Sequence, residues 1–178
     1  VRSVARIEVT GAAAETRALA RAVISQLATF HAPEDLQVAV LASDAAMPEW
    51  DWVKWLPHAH SPRSRDAVGA ARMMGTDLAD IEGLLPEDLT DRPRFGYAAE
   101  ATLPHVLVVV DGGRVPVGNP ILTADGVLGV TVLELPDRWG ELDEPTTLRL
   151  NVGAAVPTDD AVRAPVDVLR LGNPPVRV

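Results

Sequence analysis

Residues 4–10 (Val-Ala-Arg-Ile-Glu-Val-Thr) alternate apolar and polar side chains, the period of a half-buried strand. After Gly11 the apolar residues Leu19, Val23, Ile24 and Leu27 recur at three- and four-residue spacings, which predicts an amphipathic helix. Glu15 falls in its first turn, where the helix dipole favours an anion. Pro33 restrains Ala32 and lacks a donor, so the helix is expected to end near His31. Leu36–Ala42 is a second strand-like run, and strand, helix and strand at this spacing predict a parallel pair with a right-handed crossover. His105–Asp111 holds an unbroken aliphatic run at 106–110, as a central strand of a parallel sheet covered on both faces would. The strand at 4–10 is expected to flank it. Residues 128–135 and 146–152 read as two more strands. Between 110 and 128 there is no long helix signal, so a crossover helix there is expected to be shortened or lost.

The middle of the chain is less regular. Residues 49–58 (Glu-Trp-Asp-Trp-Val-Lys-Trp-Leu-Pro-His) fit a short helix that groups Trp52 with Trp55 and Leu56, and Trp50 with Lys54. On that reading Trp52 and Trp55 pack inward and Trp50 sits nearer the surface. Residues 61–70 look like a loop and 72–74 like a short strand. Thr76 is placed to cap a helix carrying Leu78, Ile81, Leu85 and Leu89, which Pro86 must kink or divide. Residues 91–102 form an irregular connection. Residues 1–152 are therefore expected to form one α/β domain, three-layered with a mostly parallel sheet. The Pro-rich stretch 153–178, with one possible strand at 166–171, is expected to wrap its surface or lead to a further domain.

Composition narrows the functional classes. A chain of 178 residues is long enough for a three-layer core, and aromatic residues make up only 4%, so aliphatic packing must dominate. The absence of cysteine excludes disulfides and thiolate metal sites, and leaves the redox compartment unread. A formal charge of −9 repels phosphodiester backbones, so no nucleic-acid partner is expected. No apolar run approaches the roughly 18–20 residues that cross a bilayer, so no direct membrane insertion of this segment is expected. The start at Val1, almost at once in a strand, suggests a piece of a longer protein.

The strand–glycine–helix layout at residues 4–30 is that of a phosphate-binding loop. Aligned on G-x-x-x-x-G-K-[ST], Gly11 keeps the first glycine, but Thr16 replaces the second, Arg17 the lysine, and Ala18 the magnesium-binding hydroxyl. A planar guanidinium does not reproduce an ammonium threaded into a backbone cradle. Charge-assisted hydrogen bonds are worth about 1.5–3 kcal/mol each. Losing two or three removes roughly 5 kcal/mol, more than three orders of magnitude in affinity. Asp111 stands at the end of the aliphatic strand, where a metal-holding aspartate would be, yet Gly112 and Gly113 follow instead of a water-activating carboxylate. It is expected to cap or bond the nearby loop. No catalytic residue, metal site or bound ATP and magnesium is expected.

His58 and His60 form an H-x-H, with His31 and His105 elsewhere, but no third ligand stands at a recognisable spacing. Structural histidines are the simpler reading. Serine, histidine and aspartate are all present, without a nucleophile elbow to organise them. The clustered tryptophans are candidates for the core and for an interface, since large rings favour both. Trp50, Trp52, Trp55 and His58 are the candidate interface residues.

Several phrases resemble one family: residues 17–22 (Arg-Ala-Leu-Ala-Arg-Ala), 26–36 (Gln-Leu-Ala-Thr-Phe-His-Ala-Pro-Glu-Asp-Leu), 50–58 (Trp-Asp-Trp-Val-Lys-Trp-Leu-Pro-His), 104–112 and 129–135. In this order they resemble the EccC family, membrane-anchored FtsK/SpoIIIE-type ATPases of the type VII (ESX) secretion system. The resemblance implies the membrane-proximal, ATPase-like domain of unknown function, with a degenerate P-loop NTPase-like fold. It further implies a place on the cytoplasmic side of the membrane. The implied partners are other domains of the same chain and type VII secretion membrane subunits. A non-catalytic, linking role is the leading expectation. The alternatives are a divergent ATPase in which Arg17 stands in for lysine, and a DNA-translocase module, which the acidic charge opposes.

Overall fold

The computed structural model describes residues 4–96, 102–142, 144–158 and 162–178. In chain order its strands are β1 (Arg6–Gly11), β2 (Leu36–Ala42), β3 (His60–Asp66), β4 (Gly69–Arg72), β5 (Met74–Gly75) and β6 (His105–Asp111). They continue as β7 (Val130–Glu134), β8 (Thr147–Val152), β9 (Val156–Pro157), β10 (Val162–Arg163), β11 (Val166–Arg170) and β12 (Val176–Arg177). The α-helices are α1 (Ala13–Phe30), α2 (Met47–Trp50) and α3 (Leu78–Glu82). Eight strands form one sheet in the order β12-β11-β8-β1-β7-β6-β2-β5. The six from β8 to β5 run parallel, and β11 and β12 add antiparallel at one edge. The fold is α/β with a mostly parallel sheet.

Alternation along the central strands sorts their side chains to two cores. Leu107 and Val109 of β6 join Val38 and Val40 of β2, Leu133 of β7 and Val9 of β1 on the face covered by α1 and α2. Val106, Val108 and Val110, with Ala39, Leu41, Val130 and Val132, face Leu78, Ile81, Leu85 and Leu89 on the other side. Every residue of β2 and β6 is buried, which is why both strands read as largely apolar runs, with Gln37, His105 and Asp111 as the polar exceptions. Each such aliphatic side chain contributes about 1.5–3 kcal/mol on burial. On α1 the most deeply buried residues are Thr16, Ala20 and Ile24, with Leu19, Val23 and Leu27 packed around them.

Three expectations need correction. The first strand does not flank β6: β7 lies between them, so β1 and β2 are parallel but not a pair, with β7 and β6 between them. The cap of α3 is Asp77 rather than Thr76. Its side chain accepts from the Ala79 amide and the Asp80 side chain accepts from the Asp77 amide, a reciprocal box that a threonine one residue earlier cannot make. Residues 61–70 are not a loop but most of an antiparallel hairpin, β3–β4. Pro86 does divide the helical stretch, into α3 and a 3₁₀ turn at Glu87–Thr90. No helix occurs between β6 and β7, as the pattern there predicts. Part of the predicted irregular stretch 91–102 lies outside the described residues. The possible strand near the C-terminus is β11, paired along β8.

Candidate functional site

The parallel strands β1, β7, β6 and β2 end together, and the ends of open α/β sheets are where such folds place ligands. β1 ends at Gly11, whose φ of +146° and close approach to β8 require glycine: a Cβ there would lie 2.4 Å from the Val152 carbonyl oxygen. Only Ala12 separates this glycine from α1. Thr16 and Arg17 are therefore already inside the helix. The Thr16 amide donates to the Ala12 carbonyl at 3.0 Å, and its hydroxyl donates back to the Ala13 carbonyl at 3.2 Å. A phosphate cradle needs free amides at these positions, and here the helix engages them.

Arg17 and Asp111 meet. The guanidinium donates Nε to Oδ2 at 2.7 Å and Nη2 to Oδ1 at 3.3 Å, a two-point pairing of planar groups. The hydrogen bonds from Arg17 to the carboxylate raise the guanidinium pKa above its ordinary value. Asp111 is further held by the Trp50 indole, whose Nε1 donates to Oδ2 at 2.8 Å. Asp111 is thus bonded to side chains of α1 and α2 rather than capping a loop as expected. Its backbone carbonyl accepts from the Ser43 amide at 2.9 Å and so closes the end of β2 onto β6. Beside this cluster is a cleft of about 400 Å³ whose lining includes Arg17, Ser43, Asp111, Glu134 and Asp137. Asp111 is paired with Arg17 and Glu134 with Arg6, so Asp137 leaves the cleft with a surplus of one negative charge, which disfavours polyphosphate. Ala18, at the position of the metal hydroxyl, lines a different groove with Leu19, Val152, Ala164 and Val166.

The tryptophan segment also departs from expectation. Trp50 is fully buried in the core beneath α1, whereas Trp55 is 75% exposed and Trp52 half-buried. The expected split is therefore reversed for Trp50 and Trp55. The reason is the period: α2 stops at Trp50, and 3₁₀ turns follow at Asp51–Trp55 and Pro57–Ala59. Three residues per turn align Trp50, Val53, Leu56 and Ala59 on one side, and all but half-buried Leu56 are fully enclosed. His58 is buried, its Nε2 donating to the His31 carbonyl at 2.9 Å, and His60 donates to the Lys54 carbonyl at 3.3 Å. Among the described residues no three metal-ligating side chains converge. Of the candidate interface residues, Trp55 is accessible, Trp52 partly so, and Trp50 and His58 are enclosed.

The pairing of Arg17 with Asp111 escaped the sequence reading, although one signal was present: opposite charges stand at the two altered motif positions. No family model matches the chain. Over 152 residues, covering 85% of this chain, it is 40% identical to the ESX secretion system protein EccC of Thermomonospora curvata. It is 43% identical over 130 residues, 73% of this chain, to the ESX-3 secretion system protein EccC3 of Mycobacterium tuberculosis. The chain belongs to the EccC family. It is also similar to the ESX-1 secretion system protein EccCa1 of M. tuberculosis, at 36% identity over 144 residues. The chain spans only 12% of the length of the Thermomonospora EccC and 10% of EccC3. No helix among its described residues is long and apolar enough to cross a membrane.

For this EccC-family segment the fit of a nucleoside triphosphate with magnesium can be tested on its own residues. The Thr16 amide is taken up by the Ala12 carbonyl, Glu15 sits in the first turn, the Arg17 cation is paired with Asp111, and position 18 carries no hydroxyl. These features weigh against that ligand.

Proposed function

We propose that this chain is a non-catalytic, ATPase-like domain of a type VII secretion motor protein, joining a membrane anchor to ATPase modules and contacting neighbouring secretion subunits. One observation carries the non-catalytic part: the two side chains at the phosphate and metal positions, Arg17 and Asp111, are bonded to each other at 2.7 Å. A triphosphate would have to break that pairing, and then enter a cleft bearing Asp111, Glu134 and Asp137. The family and the retained parallel sheet support a place in the secretion machinery. Its location on the cytoplasmic side belongs to the same proposal.

Calorimetric titration of the chain with ATP and magnesium tests this reading. No saturable heat is expected below about 1 mM, the loss that follows from two or three missing charge-assisted bonds. No turnover is expected either. A micromolar isotherm would show that the Arg17–Asp111 pair opens to admit nucleotide, and turnover alongside it would restore the reading as an active ATPase.

A further inference from the structure

Charge is not evenly spread over this acidic chain. Residues 51–75 carry Lys54, Arg63, Arg65 and Arg72 against Asp51 and Asp66, a balance of +2 in a molecule of −9. Four basic residues out of 16 thus fall on one hairpin, β3–β4, and the turn that precedes it. Asp51 pairs with Lys54 at 2.6 Å, and one neighbouring carboxylate tempers this charge: Glu87, largely exposed, stands 3.8 Å from Arg63. Arg72 bonds the Lys54 and Ala70 carbonyls, without a carboxylate. Among the described residues Arg65 has no ion-pair partner.

Aromatic and aliphatic surface accompanies the charge. The Lys54 carbonyl accepts from Arg72 Nε at 2.9 Å and from His60 Nε2 at 3.3 Å, and His60 and Arg72 face each other across the hairpin base. The next residue, Trp55, is thereby fixed at that base, 75% exposed, with the Lys54 ammonium 5.5 Å from its ring centroid. At the other end Val68 is 86% exposed. The seven residues of β3 span roughly 20 Å, the reach of about six residues of extended chain.

We propose that the β3–β4 hairpin, with Trp55 at its base, is a docking surface for an acidic segment of a partner protein that also carries an apolar side chain. Exposed tryptophan and arginine are the residues that dominate binding energy, and complementary charge speeds and orients the encounter. A long polyanion such as nucleic acid would meet the surplus negative charge of the remaining chain, whereas a short acidic segment, screened beyond a Debye length of about 8 Å, meets the hairpin cations with only Asp51, Asp66 and Glu87 beside them. An anionic membrane is disfavoured by the lack of a continuous apolar face on the hairpin. The proposal takes the contact role above as its premise, and its surface shares no residue with the Arg17–Asp111 cluster.

The test uses the 178-residue chain and a fluorescent peptide of glutamate and aspartate with one leucine and one phenylalanine, read by anisotropy. Saturable binding is expected, weakened by added salt and weakened about tenfold by Trp55→Ser or by Arg65→Glu. Both side chains are exposed, so thermal melting of the variants should match that of the parent. Equal affinity in the variants, or no saturable binding, would overturn the proposal. So would binding to phosphatidylglycerol vesicles with none to the peptide, which would make the hairpin a membrane contact. A positive ATP isotherm would refute the non-catalytic reading and leave these measurements unchanged.

Discussion

Replacing Arg17 by methionine keeps the length of the side chain and removes the two-point partner of Asp111. The pair is neither exposed nor sealed, with side-chain exposures of 23% and 11%. Exposed pairs contribute up to about 1 kcal/mol, and breaking a buried one costs about 3–5 kcal/mol. The geometry lies between, so Arg17→Met should cost about 2 kcal/mol, Asp111 keeping its bond from Trp50 Nε1. Asp111→Ala should cost more. It frees Arg17 to reach solvent, but it also leaves the Trp50 indole N–H without its acceptor inside a fully buried residue. That orphaned donor adds about 1–3 kcal/mol. A total of about 3–4 kcal/mol is expected. Asp111→Asn retains an oxygen for Trp50 and should fall back to the Arg17→Met value. Urea denaturation resolves these differences: with a slope of about 2 kcal/mol per molar, the midpoint should drop by about 1 M for Arg17→Met and by close to 2 M for Asp111→Ala. Equal losses in Asp111→Ala and Asp111→Asn would refute the Trp50 half of the reasoning. A loss below about 0.5 kcal/mol in Arg17→Met would refute the pairing half.

The tryptophans give a second contrast: Trp50→Ala should cost about 3–5 kcal/mol by the same denaturation assay, and Trp55→Ala less than about 0.5 kcal/mol. If Trp55→Ala proves the more costly, the 3₁₀ register of the segment is wrong. Asp88 should report on acid stability. Hydrogen bonds from the buried Arg92 hold its pKa below the ordinary value of 3.8, so its contribution is present above that value and is lost as the pH falls through the folded one. Since the Asp88 side chain is itself 55% exposed, the effect should stay under about 1 kcal/mol. Asp88→Asn should flatten that part of a melting-temperature profile against pH, and an unchanged profile would remove Asp88 from the account.

The local pattern determined the parallel strands β1, β2, β6, β7 and β8 and which face of α1 is buried, because burial repeats with the period of the element that makes it. β2 and β6 lie where their apolar runs place them, since a strand enclosed on both faces is mostly apolar along its length. The altered phosphate loop was equally visible, being a matter of residue identity at Gly11, Thr16, Arg17 and Ala18. Periodicity misled where the helix type was wrong: an α period put Trp50 outside, and a 3₁₀ period puts it inside. The hairpin was missed because β3 is largely exposed and carries no alternation to read. Strand order was not legible either, for β7 reaches its place between β1 and β6 by crossovers whose path no local sequence encodes. The same holds for the bond between Arg17 and Asp111, 94 residues apart. Sequence supplied two opposite charges at two altered positions, but only the packing of α1 across the sheet face, its first turn near the strand ends, brought them within hydrogen-bonding distance.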